Sequence, residues 1–308
     1  MTRVAAVDCG TNSIRLLVAD LDVDNVMLHD LDRRMEIVRL GQGVDRTGRL
    51  APDALRRTLA ALEVYARRIR ELDATRVRMV ATSATRDAAN RSDFVTGVVT
   101  TLGVEPEVIS GAEEAALSYD GATRELRDGN AAAPYLVVDI GGGSTEFVLG
   151  DDEGVVAGCS VDIGCVRMTE RHFHSDPPTA AQAAAARADI EAGIDAAALD
   201  VPLEQARTVC AVAGTATTVA GMALGLPAYD ATAIHHARVK ADDVRRISEE
   251  LLAMTRRERA AVPVMHPGRV DVIAAGALTL RAVVERIGVD EIVASEHDIL
   301  DGIAWSLA

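Results

Sequence analysis

The chain has 308 residues, enough for a sizeable core and two domains. Apolar residues make up 49% and charged residues 26%, a globular balance that excludes a largely disordered chain. The formal net charge of −15 argues against non-specific binding to nucleic acid or an anionic membrane, although a polyanion needs only local cations and backbone N–H groups.

"VAAVD" (4–8) and "SIRLLVADL" (13–21) read as strands around a tight loop, and "NVMLHDL" (25–31) as a third. Residues 52–72 have helical periodicity, with Pro52 placed at the start. "RVRMVAT" (76–82) is a strand that leads into the polar loop "SATRDAANR". A helix near 92–102, a strand over 105–110 and a helix over 111–126 follow. The turn-rich "DGNAAAP" (128–134) is the candidate domain boundary. Beyond it come strand-rich 135–164, an Ala-rich helix over 179–199 and the strand "TVCAVAG" (208–214). Helices near 242–253 and 269–287, a strand over 290–295 and a helix over 298–307 complete the chain.

Cys9, Cys159, Cys165 and Cys210 form no C-x-x-C and match no zinc or disulfide spacing. No apolar run approaches 18 residues, and the N-terminus has no long apolar segment before Asp8. The expectation is a soluble, reduced, cytoplasmic protein. His235, His236, His266 and His297 show no metal spacing and read as loop or capping residues.

The connector hides a repeat. "VAAVDCGTNSIRLLVA" aligns with "YLVVDIGGGSTEFVLG" at a constant offset. Asp8 falls on Asp139, Gly10 on Gly141, Asn12 on Gly143 and Ser13 on Ser144. One hairpin used twice implies two similar α/β domains with a ligand in the cleft between them.

Gly141, Gly142 and Gly143 present backbone N–H groups with no side chains in the way, a phosphate cradle. Ser144 and Thr145 add hydroxyl donors, and Gly10, Thr11, Asn12 and Ser13 form the duplicate. An acid beside a phosphate repels it unless it holds a cation, so Asp139 suggests Mg²⁺ or Mn²⁺. Asp8 and Glu146 are further candidate ligands; each can instead brace its loop. The duller reading, a hairpin where glycine merely permits positive φ, does not explain the repetition. Ser110 and Glu113 form an S-x-x-E capping box, while Glu114 sits in the first helical turn, where the dipole favours a carboxylate.

The two D-x-G loops resemble those of the superfamily of actin, sugar kinases and heat-shock chaperones. That implies two duplicated ribonuclease H-like (actin-like ATPase) domains, 1–127 and 128–308, with the helix at 298–308 able to pack back on the first. Gly214 and Thr215 match the superfamily's third, late glycine feature; a glycine packing a helix start against a strand is an equal reading.

"AVDCGTNSIRLLVA", "ATSATRDAAN", "VISGAEEAALSY" and "VVDIGGGSTEFVLG", in this order, resemble the exopolyphosphatase and guanosine-pentaphosphate phosphatase family. Longer members carry a further C-terminal helical domain, so this chain looks like a short form, with short polyphosphate the expected preference. The resemblance maps the water-activating glutamate onto Glu114 and a phosphate-clamping role onto Arg86. Arg15 is left facing either way. Arg269 reads as capping the 269–287 region rather than as a distal phosphate contact. The resemblance implies a Mg²⁺-dependent exopolyphosphatase. Removal of a phosphate from guanosine pentaphosphate, non-catalytic alarmone binding, and a kinase or ATPase activity are the rivals. The expected partner is inorganic polyphosphate or a guanosine polyphosphate, and a homodimer stays open.

Overall fold

The computed structural model describes residues 1–24, 27–128 and 131–308, and the side chains of all of these but 127 and 128. Residues 25 and 26 of the expected third strand and 129 and 130 of the expected connector lie outside the described residues. Two compact units emerge, 1–121 with 299–308, and 122–298.

The first unit begins with β1 (Thr2–Cys9), β2 (Ser13–Asp22) and β3 (Met27–Ile37). It continues through α1 (Val44–Thr47), α2 (Pro52–Glu71), β4 (Arg76–Ala81), α3 (Ser83–Asp87), α4 (Arg91–Leu102), β5 (Glu107–Val108) and α5 (Gly111–Asp128). The sheet order is β3-β2-β1-β4-β5, with β1 to β3 antiparallel and β4 and β5 parallel to β1. β1 is buried from Val4 to Cys9 because both sheet faces are covered, which is why it reads as one apolar run. α2 starts with Pro52 and buries Ala54, Thr58, Leu62, Tyr65, Ala66 and Ile69 along one stripe.

The second unit continues with β6 (Tyr135–Ile140), β7 (Thr145–Asp151), β8 (Gly154–Val161), α6 (Cys165–His172), α7 (Ala180–Asp200) and β9 (Thr208–Val212). There follow α8 (Ala213–Ala223), α9 (Ala231–Ile234), β10 (Arg238–Lys240), α10 (Ala241–Ala253), α11 (Arg256–Ala260), α12 (Ile273–Ile287) and β11 (Glu291–Ala294). Its sheet order is β10-β11-β9-β6-β7-β8. The run β8-β7-β6-β9-β11 repeats β3-β2-β1-β4-β5 strand for strand and direction for direction, with β10 added at the edge. The fold is the duplicated α/β architecture expected from the hairpin repeat.

The last helix, α13 (Ile299–Trp305), belongs to the first unit. Ile299, Leu300, Ile303 and Ala304 pack with Val4, Ala6, Leu17, Ala19 and Val80. Buried Asp301 pairs with Arg33 of β3 at 2.5 Å. Gly302 lets α13 approach the backbone of α5: a Cβ there would lie 1.9 Å from Leu117 O.

Several local expectations change. The division falls after Gly121 rather than at 127–128, because α5 runs unbroken and its last turns belong to the second unit. The polar loop after β4 contains α3, whose Ser83, Ala84 and Thr85 are buried. The strand expected over 105–110 shrinks to Glu107–Val108. The strand expected over 208–214 stops at Val212, because Ala213 adopts φ 65° and opens α8.

Candidate phosphate-binding and catalytic site

The glycine loop between β6 and β7 is oriented by α6. Gly141 O accepts from Cys165 N at 2.9 Å, and Gly142 O from Val166 N and Arg167 N at 2.9 and 3.1 Å. Gly143 O accepts from Gly164 N at 3.3 Å and from Arg167 Nε at 2.8 Å. A trans peptide sets its N–H opposite its C=O. The N–H groups of Gly142, Gly143 and Ser144 therefore face away from α6, as a cradle requires. Gly164 makes this approach possible: a Cβ there would lie 2.4 Å from both C and O of Gly142.

The first unit uses the same device. Thr11 O accepts from Gly41 N at 2.8 Å, and Asn12 O from Val38 N and Arg39 N at 3.1 and 2.8 Å. Residues 38–41 follow β3 as 164–167 follow β8, so the duplication extends beyond the strands. Gly10 N donates to Ser13 O at 3.0 Å, closing the tight turn.

The acids of the two repeats meet different partners. Asp8 stands opposite Arg15 in register, and Arg15 Nε and Nη2 donate to its Oδ2 at 2.9 and 2.7 Å. Arg15 thus faces the acid of its own hairpin. At the same position of the second repeat, Asp139 stands opposite Glu146. Both acids are buried, and Ser160 Oγ donates to Glu146 Oε1 at 2.6 Å. Like charges directly across an antiparallel pair are unfavourable without a cation between them. The donor set at Asp139 and Glu146 therefore fits a hard divalent ion, while the Asp8 carboxylate is matched by an arginine.

Arg86 and Glu114, 28 residues apart, meet directly. Arg86 Nη1 donates to Glu114 Oε2 at 3.0 Å and to Ile109 O at 3.1 Å. Among the described residues, neither Nη2 nor Nε of Arg86 meets an acceptor, which keeps one edge of the guanidinium for an anion. The capping box before Glu114 is half formed. Ser110 Oγ accepts from Glu113 N at 3.2 Å, but the Glu113 carboxylate turns to Arg78. Glu114 is nearly buried.

Besides Thr11, already a candidate phosphate contact, two hydroxyls of the first unit, Ser83 and Thr85, passed unnoticed in the sequence. Thr11 Oγ1, Ser83 Oγ and Thr85 Oγ1 are buried without hydrogen-bond partners among the described residues. Thr11 belongs to the first loop, and Ser83 and Thr85 to the helix that carries Arg86. Buried hydroxyls usually have partners, so this concentration marks a place where a ligand or water completes the bonding. Only their loop position carried a signal in the sequence.

Gly214 and Thr215 lie in the first turn of α8. Arg269 does not cap the 269–287 region, whose helix starts at Ile273. Its guanidinium lies across Gly214 instead, where a Cβ would approach Arg269 Cζ and Nε to 2.3 Å. A cation at the positive end of a helix is unfavourable by itself, and the Glu296 carboxylate lies close enough to interact with Arg269. Burial pushes the Cys165 thiol up to about 11 and the Cys210 thiol to about 12, which keeps both protonated at neutral pH.

Comparison with known proteins decides the lineage. The sequence profile of the Ppx/GppA phosphatase family matches residues 18–308. The chain belongs to the Ppx/GppA phosphatase family. Among this family's members it is 53% identical to Exopolyphosphatase 2 of Mycobacterium tuberculosis, over 100% of this chain and 99% of that protein. The crystal structure of an exopolyphosphatase-like protein matches this Ppx/GppA chain with a TM-score of 0.95 at 44% identity, covering 99% of this chain and 98% of the other. The exopolyphosphatase from Cytophaga hutchinsonii matches with a TM-score of 0.86 at 26% identity, over 99% and 97% of the two chains. No helix among the described residues of this Ppx/GppA protein is long and apolar enough to cross a membrane.

Proposed function

We propose that this protein is an exopolyphosphatase that removes the terminal phosphate of inorganic polyphosphate with the help of Mg²⁺. The carrying observation is the direct pairing of Arg86 with Glu114 beside a buried, hydroxyl-lined helix. The name of the 53% identical relative supports the substrate. The two loops, with their N–H groups turned outward, bind phosphate oxygens. Glu114 orients the attacking water. A new O–P bond forms as the bridging P–O bond of the anhydride breaks, and the water proton passes late to Glu114. A loose phosphoryl transition state tolerates that late transfer. Arg86 stabilises charge on the transferred group through its remaining edge. Arg269 at the start of α8 holds a further phosphate. Asp139 and Glu146 would hold the metal, whose contribution when bound is to neutralise phosphate oxygens. Asp8, matched by Arg15, braces the first loop. Four free thiols fit a reducing, cytoplasmic setting.

The test is phosphate release from defined-length polyphosphates and from guanosine pentaphosphate, side by side, with and without Mg²⁺. Faster metal-dependent release from polyphosphate is expected. A clear preference for guanosine pentaphosphate would transfer the activity to that substrate, and binding without turnover would make the protein a regulator.

Two variants report on separate parts. Arg86→Ala is expected to lower kcat by about 10²-fold or more as well as raise KM, because a clamp on developing charge acts most in the transition state. A raised KM at unchanged kcat would demote it to docking. Gly164→Ala is expected to push the 141–144 loop out of place and lower kcat/KM by about 10²-fold in a chain that still folds. Wild-type kinetics there would contradict the cradle.

A further inference from the structure

We propose that Glu125, His235 and His297 form a separate cation site, one for Zn²⁺ or a similar nitrogen-seeking divalent metal. Three distant segments supply it: Glu125 from α5, His235 from the C-cap of α9, and His297 from the turn between β11 and α13. One ligand atom from each lies within 4.8 Å of the others. Glu125 offers one oxygen to each ring, Oε2 at 2.9 Å from His235 Nε2 and Oε1 at 3.4 Å from His297 Nδ1. Tetrahedral zinc with bonds of about 2.0–2.1 Å spaces its ligands at about 3.3 Å. Small side-chain shifts therefore suffice. Two imidazoles and one carboxylate favour zinc over Mg²⁺, which prefers an all-oxygen shell.

The backbone around the site is fixed. Ser295 Oγ accepts from His297 N at 3.0 Å and donates to His297 O at 2.8 Å. His236 N donates to Ala294 O at 2.7 Å. His236 is held in the left-handed region at φ 61°, its ring stacks on His235 at 3.8 Å, and its Nε2 is buried without a hydrogen-bond partner among the described residues. Strain and an unsatisfied nitrogen thus sit beside the three ligands.

Loading has a specific cost. Glu296 N donates to His235 Nδ1 at 3.2 Å, so the ring proton sits on Nε2, facing Glu125. Zinc takes the Nε2 lone pair. The proton then moves to Nδ1 and the Glu296 contact opens. The bound metal ties the end of α5 to the segment that leads into α13.

The experiment titrates Zn²⁺ into the metal-stripped full chain in excess Mg²⁺, by calorimetry, with histidine nitrogen NMR alongside. One zinc per chain at about 1 µM or tighter is expected, with the His235 proton switching from Nε2 to Nδ1. His297→Gln and Glu125→Gln should each weaken binding by about tenfold or more and cancel the rise in Tm that zinc gives the parent, while Asp139→Asn should leave zinc binding intact. Melting curves without zinc show whether each variant is folded. No zinc binding in excess Mg²⁺ overturns the proposal, as does equal binding by parent and both variants, or loss of binding in Asp139→Asn alone.

Discussion

Glu114→Gln is expected to reduce phosphate release from polyphosphate by about 10²- to 10⁴-fold while KM changes only a few-fold. The amide keeps the shape of the carboxylate and can still accept the Arg86 Nη1 hydrogen bond, now at 3.0 Å. Ile109 O also accepts from Arg86 Nη1, so the helix and its arginine stay in place. What is lost is the acceptor for the water proton and the charge that orients the water. Neither contributes much to ground-state affinity for a polyanion, which rests on the loops and arginines. The measurement is kcat and KM on one defined chain length, with calorimetric binding of the same polyphosphate. Turnover near the parent rate would remove Glu114 from the reaction. Equal loss of binding and turnover would make it a docking or folding residue.

Gly302→Ala is expected to lower the stability of the first unit by about 2–4 kcal/mol, although alanine is the better helix former. Propensity alone predicts a gain of about 1 kcal/mol for this exchange within a helix. Packing opposes it. The new Cβ would lie 1.9 Å from Leu117 O and 2.7 Å from Leu117 C. These are backbone atoms of a neighbouring helix, so no rotamer change relieves the clash, and α13 must move off the sheet. Overpacking of this kind costs about 1–3 kcal/mol and more where the backbone has to shift. A fall in Tm of roughly 7–15 °C follows for a unit of this size. Scanning calorimetry tests it, and an unchanged or raised Tm would show that the helices do not approach so closely.

Much of this architecture was legible because it is local. The hairpin repeat lies in contiguous residues, so Asp8, Asp139 and both loops could be aligned by eye, and the shared strand order follows. The paired fates of Asp8 and Asp139 were half visible: the same offset puts Arg15 on Glu146, but only the register makes each the direct neighbour of its acid. Contacts between distant elements left no such trace. Arg86 meets Glu114 across two helices, Arg269 reaches α8 from another segment, and the histidines lack a helical spacing because they come from separate turns. The loop after β4 looked polar because serine and threonine are polar; burial of Ser83 and Thr85 depends on the packing of α3 against the sheet.

The place of α13 also orders assembly during synthesis. The first unit holds the earliest residues, yet a helix that covers Val4, Leu17 and Val80 is made only after residues 122–298. The second unit is continuous in sequence and has all its strands before α13 emerges from the ribosome. It can close while the first still exposes one apolar sheet face. The usual N-terminal-first order of multidomain chains is thereby reversed in its final step. The earliest unit is the last to be sealed, and until then one apolar face of its sheet stays uncovered.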